Sequence, residues 1–317
     1  MTMKDLRFLI CILFFSGFAQ EEKKPLQVFL GHSGAVNSID VSKDGKHLIS
    51  GSKDETIRVW DLDKGELVKT MSGLPSSAKR VEFNSDGTRF LAGLYENFFE
   101  FEFPSCKTLK RKKKCEGGFV ETVCYSGNGE LILTSGWRDN TLNIWKYKSL
   151  KKLVALEETE WTDHACFNKN ANIVLSGSHD NKVKLWDVST GKLIKSFAGH
   201  DDWVYMVNFS GDEKRVYSAS MDKTIKVWDV ESGKIITTLK GHDDGVIAFD
   251  ISPNGNYLAS TGMDKQIIIW DLKTLTQVEK FVASTEPVFT IKFSADGKKL
   301  FSAGKDNTIK VWECKYN

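Results

Sequence analysis

Apolar and polar residues alternate along most of this chain in runs too short for helices. The stretch Thr224-Ile-Lys-Val-Trp228 is followed by Ser232-Gly233 and then by Lys234-Ile-Ile-Thr-Thr-Leu239. Alternating β-branched residues on either side of a Ser-Gly turn predict two antiparallel strands. The pattern recurs at a period of 42 residues: Ser218, Asp222, Trp228 and Asp229 correspond to Ser260, Asp264, Trp270 and Asp271, and backwards to Ser176, Asp180, Trp186 and Asp187. A fixed period decides the architecture before any other feature does.

A second landmark keeps the same period. Asp44-Gly45, Asp86-Gly87, Asn128-Gly129, Asn254-Gly255 and Asp296-Gly297 occupy five of seven slots spaced by 42; Asn170-Ala171 and Asp212-Glu213 fill the other two. Such pairs tolerate positive φ and mark hairpins. An apolar or aromatic residue precedes each turn (Val41, Phe83, Tyr125, Phe167, Phe209, Ile251, Phe293). After each turn the pattern predicts a second strand, a small-residue segment, an acidic turn and a third strand. That third strand ends in Trp60, Trp145, Trp186, Trp228, Trp270 and Trp312; in the second unit Glu102 falls on the tryptophan slot and Glu96 on the acidic one.

Four strands per unit of 42 residues, with Gly-His and Trp-Asp landmarks, resemble the WD-repeat (WD40-type) β-propeller family. The resemblance covers residues 27–317 and implies an all-β fold, a seven-bladed β-propeller of four-stranded antiparallel blades. The chain ends point independently to a closed ring. The last unit stops at Asn317 after its third strand, and Gln27 to His32 match a fourth strand plus Gly-His. One blade is therefore expected to combine strands from both ends, which hides sheet edges that invite aggregation.

Composition adds four features to this pattern. With 44 Lys and Arg against 42 Asp and Glu, the net charge of +2 is no overall footprint for nucleic acid. Lys4 and Arg7, an apolar run from Phe8 to Phe15, and Gly17 and Ala19 ahead of Gln20 have the order of a secretory signal peptide. Residues 1–19 are expected to be removed and 20–26 to form a short linker; the run is too short to span a bilayer. The mature protein is then periplasmic or secreted, with no membrane span. Lys107, Lys110, Arg111, Lys112, Lys113 and Lys114 form a dense basic run on the expected outermost strand of the second blade. It reads either as an anion-binding surface or as lysine protection of a sheet edge. Six cysteines form neither a disulfide framework nor a zinc pattern. Cys106 and Cys115, if joined by extended chain, stand roughly 30 Å apart, so free thiols are expected.

His32, His200 and His242 each precede an Asp by 22 residues and a Trp by 28. A catalytic pair is normally needed once, so repetition argues for structure. The resemblance implies buried hydrogen-bond networks of His32, Ser50, Asp54 and Trp60; of His200, Ser218, Asp222 and Trp228; and of His242, Ser260, Asp264 and Trp270. Asp139, Asp180 and Asp306 keep the acid of other units without the histidine. No phosphate loop, zinc-spaced set or nucleophile elbow is present. The expectation is a non-enzyme with no cofactor and no metal.

The family's usual docking surface lies where first strands begin and second strands turn. There, units 5 to 7 contribute Tyr205, Ile247, Phe289, Met221 and Met263, with Trp203 beside them, whereas units 1 to 4 contribute mostly polar residues. An apolar arc with a charged rim suits a protein or peptide partner, or it plugs the channel mouth. The expected function is thus an exported scaffold, a monomer or part of a hetero-complex. The alternatives are an envelope enzyme or small-molecule binder using the channel, and an edge-docked subunit of an envelope assembly.

Overall fold

The computed structural model describes residues 23–115, 118–136, 138 and 140–316, so the signal peptide expected at 1–19 lies outside the described residues. Among the described residues, twenty-eight strands form seven four-stranded sheets arranged as the blades of a propeller. Blade 5 is typical: Val204–Phe209, Arg215–Ser220, Thr224–Asp229 and Ile235–Lys240 pair in sequence order, each antiparallel to the next. The closing blade pairs Val288–Phe293, Lys299–Gly304 and Ile309–Glu313 with Gln27–Phe29 from the other end of the chain. Val28 faces Lys310 in that ladder, and Leu26 N–H donates to Val311 O at 2.7 Å. The linker is already anchored before this strand: Lys23 Nζ lies 2.7 Å from Glu279 and 4.4 Å from the Phe281 ring centre.

Buried apolar side chains pack chiefly between neighbouring blades. One cluster joins Leu175 and Val183 of blade 4 to Val204, Val207, Val216 and Trp228 of blade 5. The small-residue segment has a steric cause here. A Cβ on Gly177 would meet Val204 Cγ1 at 2.8 Å and Val207 Cγ1 at 2.9 Å, so a larger residue would push the next blade away.

Six of the seven first strands carry a register shift near their start, as between Val204 and Met206. The skipped residues are Asn37, Glu121, Asp163, Tyr205, Ile247 and Phe289. A bulge re-aims the side chain it carries, so one irregularity per blade serves one position.

Blade 2 corrects the sequence register. Phe90 pairs with Phe101 as Leu48 pairs with Trp60, and Gly93 pairs with Phe98 as Gly51 pairs with Ile57. The intervening turn is one residue shorter, so Phe101, 3% exposed, holds the tryptophan position and Glu102 is exposed beyond it. Glu96 likewise does not replace the turn acid. Its φ of 53° matches the next corner residue, Glu55, at 62°. The basic run forms the outer strand Thr108–Lys113 of this blade. Cys106, Cys115, Cys124, Cys166 and Cys314 are free thiols.

Candidate functional site

The repeated polar sets hold the loops that frame the mouth. In blade 5, Trp228 Nε1–H donates to Ser218 Oγ at 2.7 Å, His200 Nε2 lies 2.7 Å from the same oxygen, and His200 Nδ1 lies 2.6 Å from Asp222. An indole can only donate, so Ser218 accepts from it and offers its own hydrogen to Nε2. This leaves the imidazole hydrogen on Nδ1, aimed at the carboxylate. Blade 1 repeats the chain through Trp60, Ser50, His32 and Asp54 at 2.9, 2.7 and 2.8 Å. Blade 6 repeats it through Trp270, Ser260, His242 and Asp264 at 2.8, 2.7 and 2.7 Å.

Burial holds the His32 and His200 imidazoles below their ordinary 6.5, and so neutral. Asp54 is brought down to about 2 against the opposing effect of burial by hydrogen bonds from Thr56, His32 and Ser33, and Asp222 is lowered further still. Both shifts make the unfolded chain the stronger proton binder. Stability is therefore present at neutral pH and falls on acidification, first below 6.5 as the histidines must charge, then from about 4 to about 2 as Asp54 protonates. Replacing Asp222→Ala is expected to cost ~1–3 kcal/mol by leaving buried donors unpaired. Thermal melts from pH 7 downward check this, and an unchanged melting temperature would contradict a structural role.

Two blades without Gly-His use other groups in the histidine slot. Glu158, 42 residues before His200, accepts from Ser176 Oγ and from Lys184, whose Nζ also reaches Asp180 at 2.7 Å. In blade 7, Ser284 and Lys310 each donate to Asp306 at 2.7 Å. Asp139 of blade 3 lies outside the described residues.

The mouth of the channel is a cavity of about 830 Å³. Trp203, Tyr205, Ile247, Met263 and Phe289 all line it. Met221 does not. Its Sδ fills the space where a Gly245 side chain would stand, so the missing side chain draws Met221 out of the arc.

Phe119 and Trp161, from blades 3 and 4, also line the cavity, which extends the aromatic surface beyond blades 5 to 7. The signal was present in the sequence: Phe119, Trp161 and Trp203 follow one another at 42-residue steps. Their slot lies two residues before the bulged position, and the sequence arc includes Trp203 from it but not Phe119 or Trp161.

His179 organises this side of the mouth. Its ring stacks on Trp203 with centroids 4.3 Å apart and 5° between planes, and lies 5.5 Å from Trp161 and 5.7 Å from Tyr205. Nε2 also contacts the Asp163 carboxylate. Burial, with Asp163, Asp202 and Glu121 nearby, pushes the Tyr205 phenol up to about 12, so it stays a neutral donor. Burial also raises Glu121, against the Lys79 ammonium 3.3 Å away. Trp203 remains 43% exposed and Lys53 and Lys305 are exposed at the opposite rim.

Arg80, His164, Met206 and Lys292 line both the mouth and a second cavity of about 510 Å³ below it, forming the septum between them. Arg80 Nη2 donates to His164 Nε2 at 3.0 Å, and burial with these cations drives the His164 pKa well down. Lys292 lies 3.6 Å from Asp40 and 3.8 Å from Asp250. Glu82, facing the lower cavity, is raised to about 7 by burial. Among the described residues no group of His, Cys, Asp or Glu is arranged to hold a metal ion, and no helix is long and apolar enough to cross a membrane.

The family model described as "WD domain, G-beta repeat" matches residues 23–61, 106–146, 160–187, 191–229, 233–271 and 275–313. The gap, 62–105, contains the first three strands of the irregular blade 2. Among curated relatives, the chain is 27% identical over 188 residues to autophagy-related protein 16 of Arabidopsis thaliana, covering 57% of this chain and 36% of that protein. It is 25% identical over 187 residues to serine-threonine kinase receptor-associated protein of Gallus gallus, covering 58% and 52%. It is 27% identical over 184 residues to eukaryotic translation initiation factor 3 subunit I of Mus musculus, covering 54% and 56%. The aligned stretch spans about a third to a little over half of these relatives.

Proposed function

The chain belongs to the WD40 repeat family, and from that premise we propose that it is an exported, non-catalytic scaffold gripping a protein or peptide in the propeller mouth. The carrying observation is the cavity that gathers Trp203, Tyr205, Ile247, Met263 and Phe289 behind a charged rim. Half-buried aromatic and aliphatic side chains beside charged groups are what binding hot spots are made of. The basic, apolar and small-residue order of residues 1–19 supports export, to the periplasm or outside the cell. The charged side chains below the mouth engage one another, Arg80 with His164 and Lys292 with Asp40 and Asp250, which favours a plug over a reaction centre.

The test is capture of partners from cross-linked cells, with the bound proteins identified by mass spectrometry. Replacing Tyr205→Ala together with Phe289→Ala is expected to weaken capture at least about ten-fold, since paired hot spots carry most of an interface's free energy. Lys79→Ala with Glu121→Ala removes a rim ion pair and is expected to matter much less. Unchanged capture by the first variant, with native circular dichroism and melting, would mean that these side chains only plug the channel.

A further inference from the structure

The net charge of +2 conceals a strong local segregation. From Pro104 to Cys115 the chain has six Lys and Arg and no Asp or Glu; from Thr141 to Leu156 it has four Lys and again no acid. The fold lays these two segments side by side. The first supplies the outer strand Thr108–Lys113 of blade 2, and the second supplies the third strand of blade 3, Thr141–Lys146, and all of its fourth strand, Lys151–Glu157, except the terminal Glu157.

Lysines of the first segment fasten it to the second. Lys110 Nζ donates to Tyr147 O at 3.0 Å and lies 3.2 Å from the Tyr147 ring centre. Lys112 Nζ donates to Leu150 O at 3.2 Å and stands 4.7 Å from the Trp145 ring centre, with Lys152 Nζ 5.4 Å from that same ring. Among the described residues, the one ion pair any of these ten cations makes is Lys110 with buried Glu100. Lys107, Arg111, Lys113, Lys114, Lys146, Lys148, Lys151 and Lys152 are exposed. Edge protection alone accounts poorly for this concentration. The outer strand of blade 5 has one cation, Lys240, and that of blade 4 has Lys195.

We infer that the joined outer edges of blades 2 and 3 dock on an anionic lipid surface. Charge complementarity selects a polyanion, because a field this one-sided attracts negative surfaces whatever the net charge of the molecule. Two observations select a bilayer over nucleic acid. Leu109 and Leu153, 39% and 43% exposed, stand among the lysines, one on each outer strand, where they can enter the headgroup boundary. The aromatic rings of the patch offer no stacking platform for bases, since Trp145 is 3% exposed and the Tyr147 ring is capped by Lys110. This surface is on the propeller's outer edge, so a docked chain keeps the mouth available.

The experiment is sedimentation of the mature chain, residues 20–317, with vesicles of phosphatidylcholine alone and with phosphatidylserine added. Binding is expected only with phosphatidylserine and is expected to weaken as salt is raised. Replacing Lys107, Arg111, Lys113, Lys114, Lys148 and Lys151 by Gln together is expected to weaken it more than about a hundred-fold, each cation contributing to attraction at the anionic surface. Leu109→Ser with Leu153→Ser is expected to weaken it about ten-fold through lost apolar burial. Gln at Lys192, Lys234, Lys240 and Lys273, exposed lysines of other blades, keeps binding within about two-fold and shows that position, not total charge, decides. Native melting curves confirm that each variant is folded. Failure to sediment with either vesicle, or equal binding by the six-residue variant, overturns the proposal. Capture of duplex RNA or DNA through this patch without vesicle binding would also overturn it and assign the surface to nucleic acid.

Discussion

Deleting Gln27 to Phe29 strips hydrogen-exchange protection from residues 288–312, at the far end of the chain, and lowers the melting temperature sharply. The three deleted residues pair with Ile309, Lys310 and Val311, so their loss exposes the ladder groups of that strand as a new sheet edge. Phe29 is 3% exposed, lies 5.3 Å from the Trp60 ring and joins Phe301, Ile309 and Val311 in one cluster. Truncating such a phenylalanine alone costs about 3–5 kcal/mol. That is a large share of the ~5–15 kcal/mol that holds an ordinary domain together. Phe29→Ala is the milder variant, expected to lose the packing while keeping the strand. Protection lost only near the amino terminus would mean that the ring holds without this strand.

The architecture was legible because it is written seven times. A single hairpin signal is weak, but seven turn slots at one spacing cannot drift without breaking the pattern, and both chain ends fell on complementary parts of one blade. What was not legible is what breaks the period. Blade 2 drops one residue in the turn between its second and third strands, so a count of 42 lands Glu102 on a tryptophan slot that Phe101 occupies. Only the pairing partners expose such a slip, because a one-residue shift turns every side chain to the other face.

The mouth shows the same limit from the other side. Reading two slots per blade for apolar residues found Tyr205, Ile247 and Phe289, but a slot two residues earlier supplies Phe119 and Trp161. Nor can a slot say which side chain fills a neighbour's gap: Met221 leaves the mouth because residue 245 is glycine. In the sequence, His179 is one of the mostly polar residues that units 1 to 4 place at the mouth. Its stack on Trp203 is a tertiary contact between blades 4 and 5 that no local pattern encodes.

Glu100→Ala should be the most damaging single substitution in the irregular blade. The shortened turn of blade 2 brings Glu100 to the position that Val59 holds in blade 1, and its side chain is fully buried there. The carboxylate accepts from Tyr125 Oη at 2.9 Å and Tyr147 Oη at 2.8 Å, with Lys110 Nζ at 3.7 Å and Arg89 Nη1 at 3.9 Å. Burial, followed by this carboxylate, raises the Tyr125 phenol, and both tyrosines remain neutral donors. Blade 2 thus replaces the Trp, Ser, His and Asp chain with a carboxylate shared across the boundary with blade 3. Removing one partner of a buried charged set typically costs about 3–5 kcal/mol, because the groups left behind stay desolvated and unpaired. Glu100→Gln keeps an acceptor for the phenols and is expected to cost about 1–2 kcal/mol. The decisive variant combines Glu100→Val with Tyr125→Phe and Tyr147→Phe. It removes acceptor and both phenolic donors together, while Lys110 and Arg89 can turn to solvent. Exchanging the acceptor and its two phenolic donors together for apolar groups is close to neutral, so the triple variant should recover most of what Glu100→Ala loses in urea denaturation. If the triple variant is as unstable as Glu100→Ala, the cost lies in packing around position 100 and the shared carboxylate is not what joins blades 2 and 3.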